Sequence, residues 1–442
     1  MKKPLAPPAI HKLMQEEGPN LGKILAQQSG PTLDGHYCHW DELRHREPPP
    51  SLTHAQWWLS LKVARISTQR FLPLTDQRGR PFHLVLTPLI QEALHVIDSR
   101  ASGRIAMPEP VTQSGPRERF LVRSLVEEAI TSSQLEGAST TRRQAMEMIR
   151  SGRTPINRSE RMILNNLAGM RMIREHKDEE LTPDLVFEIH RAMTKATLPS
   201  DEIGRLQHPN EQRIHVASNT TGEILHEPPP ADLLPERLQA MCNFANRVGE
   251  TEFLHPVIRA ILLHLWLAYD HPFTDGNGRT ARALFYWLML REGYWLFEFI
   301  SISTILRRAS AQYGRSYLYT ETDDNDATYF VIFQLKTIRR ALETLEKYLA
   351  KKTREIQAAE SALRDMGKFN YRQLALLSHA LRNPDSEYTL KSHGVSHDVA
   401  YATARSDLLE LVERGLLESR KIAQVWHFFP SSRLTDLHRQ QR

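Results

Sequence analysis

Cysteine is nearly absent from this chain: there are 2 in 442 residues, Cys38 and Cys242, far apart in sequence. That excludes a disulfide framework and a cysteine-based zinc site, and it favours a reducing compartment. Long apolar runs are missing too. The most apolar stretch, around 261–269, is broken by His264, so no membrane-spanning segment is expected. Met1-Lys2-Lys3-Pro4 leads into no apolar region, which argues against a secretory signal and for a cytoplasmic protein. There is no internal repeat and no long low-complexity run. The net charge of +5 is too mild to argue for nucleic acid by itself. What is present is ordinary globular material, 40% hydrophobic and 25% charged. At about 150 residues per domain, two or three domains are expected.

Residues 1 to about 50 are polar and proline-rich and end in Glu47-Pro48-Pro49-Pro50. Inside lies an aromatic and charged cluster, His36-Tyr37-Cys38-His39-Trp40-Asp41-Glu42, which reads as a docking motif on an extended arm. A helix is predicted over 54–72, with Trp57, Trp58, Leu61, Val63 and Ile66 as a core-facing stripe. From about Pro116 to Leu363 apolar residues recur at three- and four-residue spacing, so the fold class is mainly α. The predicted helices cover 119–135, 141–150, 159–176, 182–194, 231–246, 254–269, 278–291 and 328–350. In the gap 203–230, alternation around Asn219-Thr220-Thr221-Gly222 predicts a short β-hairpin.

The second gap carries the chemistry: His271-Pro272-Phe273-Thr274-Asp275-Gly276-Asn277-Gly278-Arg279-Thr280-Ala281-Arg282. Gly276, Asn277 and Gly278 can adopt left-handed conformations that aim successive N–H groups at one point. A helix starts directly after them, so its positive dipole end faces the same point and the loop suits a phosphate. Arg279 and Arg282 lie three apart on that helix and can reach further phosphate oxygens. Asp275 is a hard oxygen ligand of the kind that holds Mg2+. His271 can take a proton from an incoming hydroxyl.

This stretch matches the motif HPFx(D/E)GNGRxxR position for position, and from about 118 to 350 the chain resembles Fic-domain proteins. The resemblance extends to the preceding His255-Pro256-Val257-Ile258-Arg259-Ala260 with His264, and to Asp323-Asp324-Asn325-Asp326-Ala327-Thr328-Tyr329-Phe330. It implies a Fic helical core with a hairpin flap and transfer of AMP from ATP to a protein Ser, Thr or Tyr hydroxyl, with release of pyrophosphate. It implies His271 as general base, Asp275 as the Mg2+ ligand, and Gly276, Asn277 and Gly278 as the cradle of the α- and β-phosphates. Arg279 and Arg282 would bind the outer phosphates, with Arg282 near the γ-phosphate. The hairpin at 214–227, with Ile224 and Leu225, would clamp an extended target segment by strand addition. Tyr313, with Tyr317 nearby, either lines the adenine pocket or is a core tyrosine.

Ser132-Ser133-Gln134-Leu135-Glu136-Gly137 closes a predicted helix, with Ser132 and Glu136 on one face and Gly137 as its stop. Read alone, Glu136 is a solvated helix-end carboxylate. The resemblance identifies the segment with the family's inhibitory motif (S/T)xxxE(G/N), set in a helix over 118–137 ahead of the core. It implies that Glu136 pairs with Arg282 and blocks the productive γ-phosphate position. A bidentate Arg–carboxylate pair is strong enough to compete with a phosphate. Self-modification, a homodimer and removal of AMP with the help of Glu136 are further family habits. Transfer of UMP, phosphocholine or phosphate is known in relatives, and the intact motif favours AMP.

The expected organisation is an N-terminal arm and accessory module over 1–115, a catalytic domain over 116–360 and a winged-helix-like domain over 361–442. In the last of these, helix, helix, helix and hairpin follow one another, with Ser396 as the third helix's N-cap and Gly415 as its stop. Arg372, Lys391, Arg405, Arg414, Arg420 and Lys421 raise a rival reading, a DNA-binding regulator. The segment holds 12 Lys and Arg against 9 Asp and Glu. Asp398, Asp407 and Glu410 would repel phosphate from the third helix. A protein-docking role is therefore expected ahead of DNA binding.

Overall fold

The computed structural model describes residues 2–27, 29–101, 114–218, 221–362, 368–422 and 424–434, with backbone alone at 114–123 and at several positions beyond 351. It is mainly helical, as the apolar spacing predicts. The chain groups into two compact units, each assembled from three segments. One comprises 1–102, 168–295 and 302–340; the other comprises 103–167, 296–301 and 341–442. Among the described residues, no helix is long and apolar enough to cross a membrane. Cys38 and Cys242 are both free and buried.

The first unit is built on two consecutive helices, Pro256–Asp270 and Asn277–Arg291, which pack closely on each other. Both are buried on nearly all faces, including polar positions such as His264, Arg279 and Arg282. A helix apolar all round belongs in a core. His255 caps the first of them, accepting from the Val257 N–H, and Pro256 occupies the first helical position, where a missing N–H costs nothing. Helices Pro183–Thr194 and Leu234–Ala245 flank the pair.

The N-terminal arm departs from the extended reading. It contains short helices Ile10–Glu16, Leu21–Leu25 and Trp40–Leu43. Leu13, Ile24 and Leu43 bury themselves with Trp57, Trp58 and Leu61 in a local core. The prolines hide this pattern in the sequence by spreading its apolar anchors. The predicted helix 54–72 stops at Ile66, itself 40% exposed. Strand Gln69–Thr75 follows and pairs with Pro81–Val85. The docking motif meets the chain's Asp-Asp-Asn-Asp segment. Tyr37 donates to Asp326 at 2.6 Å and Lys62 to Asp323 at 2.8 Å. Arg65 donates to the Tyr329 hydroxyl and the Cys38 carbonyl, each at 2.8 Å, and Tyr329 donates to Asp323. Burial opposes the charge on Asp323, but Lys62 and Arg65 hold its carboxyl below the usual range.

In the second unit, helix Ser114–Leu135 ends in a Schellman turn. The Ala138 N–H returns to the Ser133 carbonyl and the Gly137 N–H to the Gln134 carbonyl, with Gly137 at φ +90°. Its C-terminal module runs helix Tyr371–Arg382, strand Tyr388–Thr389, helix Leu390–His397, helix Tyr401–Glu413, then strands Leu417–Ile422 and Val425–Pro430. The short strand and Leu417–Ile422 both pair with Val425–Pro430, giving a three-stranded sheet. The expected helix and hairpin order is present, with one start corrected. Ser396 lies inside the second helix, and the third begins at Tyr401 after Ala400. Gly415, at φ +70°, does close that helix. Asp407 is also unlike its expected role. It is buried and held by Asn370, Arg372 and His393, so it offers no repulsion to phosphate.

Candidate active site

The twelve-residue motif folds into one tight construction. His271 terminates the first core helix in the left-handed conformation, φ 44°, and its N–H closes the last turn on the Leu267 carbonyl. A left-handed non-glycine residue is a strained choice, and such strain is common at functional sites. Gly276, at φ 85°, opens the next helix. A Cβ there would stand 2.7 Å from Thr194 Cγ2 and 3.3 Å from the His190 ring, so only glycine fits.

Asn277 turns its side chain back onto the loop. Its Oδ1 accepts from the Phe273 N–H at 2.9 Å and its Nδ2 donates to the Phe273 carbonyl at 2.7 Å. What Asn277 presents at the helix mouth is therefore backbone, alongside Gly278; first-turn N–H groups have no partner within the helix. Asp275 accepts from the Gly276 N–H at 2.5 Å and remains 32% exposed. Arg279 is fully buried, donates to the Met193 carbonyl at 2.6 Å and lies 3.5 Å from Asp275. Arg282 is buried one turn on.

Two histidines missed by sequence reasoning hold this loop and its neighbour. His190 stacks on Phe273 at 3.9 Å. Its Nδ1 accepts from the Gly204 N–H at 3.0 Å, so Nε2 carries the proton and donates to the Asp275 carbonyl at 2.9 Å. Burial lowers its pKa to about 4, consistent with a neutral ring. His226 donates from Nδ1 to Glu321 at 2.8 Å and from Nε2 to the Tyr269 carbonyl at 2.7 Å. Lone histidines carry no sequence signal for such roles. Arg213 is a third support without a local signal. It donates to the Asp270 carbonyl at 2.7 Å, the His271 carbonyl at 3.3 Å and the Pro229 carbonyl at 2.9 Å.

His271 itself is half-buried, with a buried Nδ1 that lacks a hydrogen-bond partner among the described residues. Burial, then the positive charges of His226 and Arg213, lower its pKa to about 4 against the pull of Asp275. It is thus a neutral imidazole near pH 7, the form a base requires.

The hairpin is present: Val216–Ala217 pairs antiparallel with Ile224–His226, although Asn219 and Thr220 of its turn lie outside the described residues. Ile224 is 51% exposed, whereas Leu225 is buried, so the two flap candidates differ: one faces outward and the other anchors. Tyr313 is half-buried and hydrogen-bonds the His264 ring at 2.8 Å and Tyr317 at 3.0 Å. Burial and Arg282 lower the His264 pKa to about 3. Glu136 sits in the C-cap position of its helix with an exposed side chain, Ser132 is buried, and Gly137 is the left-handed stop. Glu136 and Arg282 belong to different compact units.

Residues 180–289 match the Fic/DOC family. The chain is 26% identical to the protein adenylyltransferase Fic of Nematostella vectensis over 296 residues, covering 66% of this chain and 61% of that one. It is 45% identical over 122 residues to the protein adenylyltransferase Fic of Culex quinquefasciatus, 27% of this chain and 21% of that one. The chain thus spans less than two thirds of these relatives' lengths. A solved fragment of Fic-1 from C. elegans aligns over 79% of this chain and 90% of that fragment, with a TM-score of 0.50 and 20% identity, which speaks for the fold alone. The motif and its loop geometry thus lie inside a stretch, 180–289, that is similar to the Fic/DOC family.

Proposed function

We propose that this protein is an adenylyltransferase that moves AMP from ATP to Ser, Thr or Tyr hydroxyls of target proteins and of itself. The observation that carries the reading is a neutral His271 shortly before a glycine-bounded helix mouth with two buried arginines behind it. The mouth suits the α- and β-phosphates, and Arg282 the γ-phosphate. A hydroxyl proton passes to His271, its oxygen bonds the α-phosphorus, and the bond to the pyrophosphate oxygen breaks. Such a transfer rests chiefly on positioning and charge neutralisation.

Mg2+ fits as a companion of the nucleotide. Among the described residues, no group of three His, Cys, Asp or Glu gathers to hold a metal. A single partly exposed carboxylate, Asp275, suits an ion that keeps water and takes phosphate oxygens as its other ligands. When bound, it would neutralise developing phosphate charge.

The brake belongs to the same proposal: Glu136 competes with the γ-phosphate for Arg282. The C-terminal module reads as a winged helix for protein docking. Its best basic candidates are engaged, Arg372 by Asp407 and Arg414 by Glu410, which leaves less for a DNA backbone. The test uses ATP labelled at the α- or γ-phosphate. Glu136→Gly should self-label from the α-position several-fold faster than the parent and take nothing from the γ-position. Equal α-labelling of the two proteins removes the brake, and γ-labelling replaces AMP transfer with phosphate transfer.

A further inference from the structure

The bonding around His226 settles its charge by counting donors. The Tyr269 carbonyl can only accept, so Nε2 must carry a proton. The Glu321 carboxylate accepts at Nδ1, so that nitrogen carries one as well. The ring is then an imidazolium, although only 8% exposed. Burial opposes the charge, yet Glu321 and the Tyr269 carbonyl outweigh it and raise the pKa above the ordinary histidine value.

The residue's place in the chain gives this charge a use. His226 is the last residue of the hairpin strand Ile224–His226, two positions from the exposed Ile224. Tyr269 lies two residues before His271, at the end of the core helix. One ring therefore ties the hairpin to the turn that carries the base. We infer that His226 is a positioning residue for transfer: its imidazolium staples the target-clamping hairpin to the Tyr269–His271 turn and sets a fixed positive charge beside the base. This rests on the adenylyl-transfer reading above.

The charged and titratable neighbours are consistent with that role. Glu321 faces the ring from helix Ser310–Thr322. Tyr269 stacks at a tilt, with centroids 4.8 Å apart. Asp270 favours the cation, but is itself neutralised by Arg237 at 2.6 Å. Arg213 joins His226 in holding His271 neutral. Removing the His226 charge should raise the His271 pKa. The base then becomes protonated at a higher pH, and the acid limb of the transfer profile moves up.

The experiment compares His226→Gln and Glu321→Gln in the full-length Glu136→Gly background, using self-labelling from α-labelled ATP. The amide of the His226→Gln side chain retains a donor for the Tyr269 carbonyl without the charge, and Glu321→Gln alters only the anionic partner. Expected are a labelling rate lower by about tenfold to a hundredfold, an unchanged KM for ATP, and an acid limb higher by about half a pH unit or more in both. Nitrogen-15 spectra of the parent should show both His226 ring nitrogens still protonated above the ordinary histidine titration range. A neutral ring overturns the inference, and so does a lower rate with an unmoved limb, which would be mere structural damage. A labelled parent with unaffected variants sinks the inference alone. A parent that takes no α-label sinks the transfer reading and the inference with it.

Discussion

Gly276→Ala is the sharpest probe of the loop. The residue sits at φ 85°, where an alanine costs about 1–2 kcal/mol relative to its preferred conformations. The new methyl would also meet Thr194 Cγ2 at 2.7 Å. Thr194 is fully buried and stiff at χ1, and its hydroxyl is held by the His190 carbonyl at 2.7 Å, so it cannot swing aside. Overpacking of that kind costs about 1–3 kcal/mol. The lower entropy of the unfolded alanine chain returns about 0.4–1 kcal/mol. The net expectation is a loss of about 1–4.5 kcal/mol, read by urea unfolding and by hydrogen exchange in the first turn of helix Asn277–Arg291. Thr194→Ser removes Cγ2 and keeps the hydroxyl. In a double-mutant cycle it should recover the contact part, a coupling of about 1–3 kcal/mol, and leave the backbone part. A Gly276→Ala protein within about 0.5 kcal/mol of the parent would refute the argument. A cycle with no coupling would remove Thr194 from it.

Three further expectations follow from the same structure. His271→Ala should keep its ATP affinity and lose transfer. In the parent, the acid limb of kcat/KM, which reports the free enzyme's base, should fall at about pH 4 and not near the ordinary histidine value; a limb at about 6.5 would contradict the burial argument. Asp323→Asn leaves Lys62 and Arg65 buried without their anion and should cost about 3–5 kcal/mol in urea unfolding. Because the Asp323 carboxyl is held low, its contribution is present above the unfolded carboxyl range and is lost only as pH falls beneath it.

The motif is legible because its residues are consecutive and its chemistry needs them so. The long helices are legible because each buries one or more faces at helical spacing. The supports are not. His190, Arg213 and His226 reach the loop from 81, 58 and 45 residues before His271, and nothing local distinguishes them from surface or core residues. The strand Gln69–Thr75 hides in the tail of a helical pattern, since the apolar spacing of 57–66 runs on into it without a break. Ser396 imitates a cap, whereas the cap that works, Ala400, uses no side-chain bond at all.

The clasp of Tyr37, Lys62 and Arg65 on Asp323 and Asp326 changes what counts as the core of the first unit. A protein begun at the helix that holds Glu136 would expose neither a clean surface nor a tolerant loop. It would leave two carboxylates in a pocket shaped for cations that had been deleted. The arm and its first long helix are thus a wall of that unit and not a removable tail, and shortening the chain from its amino end should unmake the fold before it simplifies the chemistry.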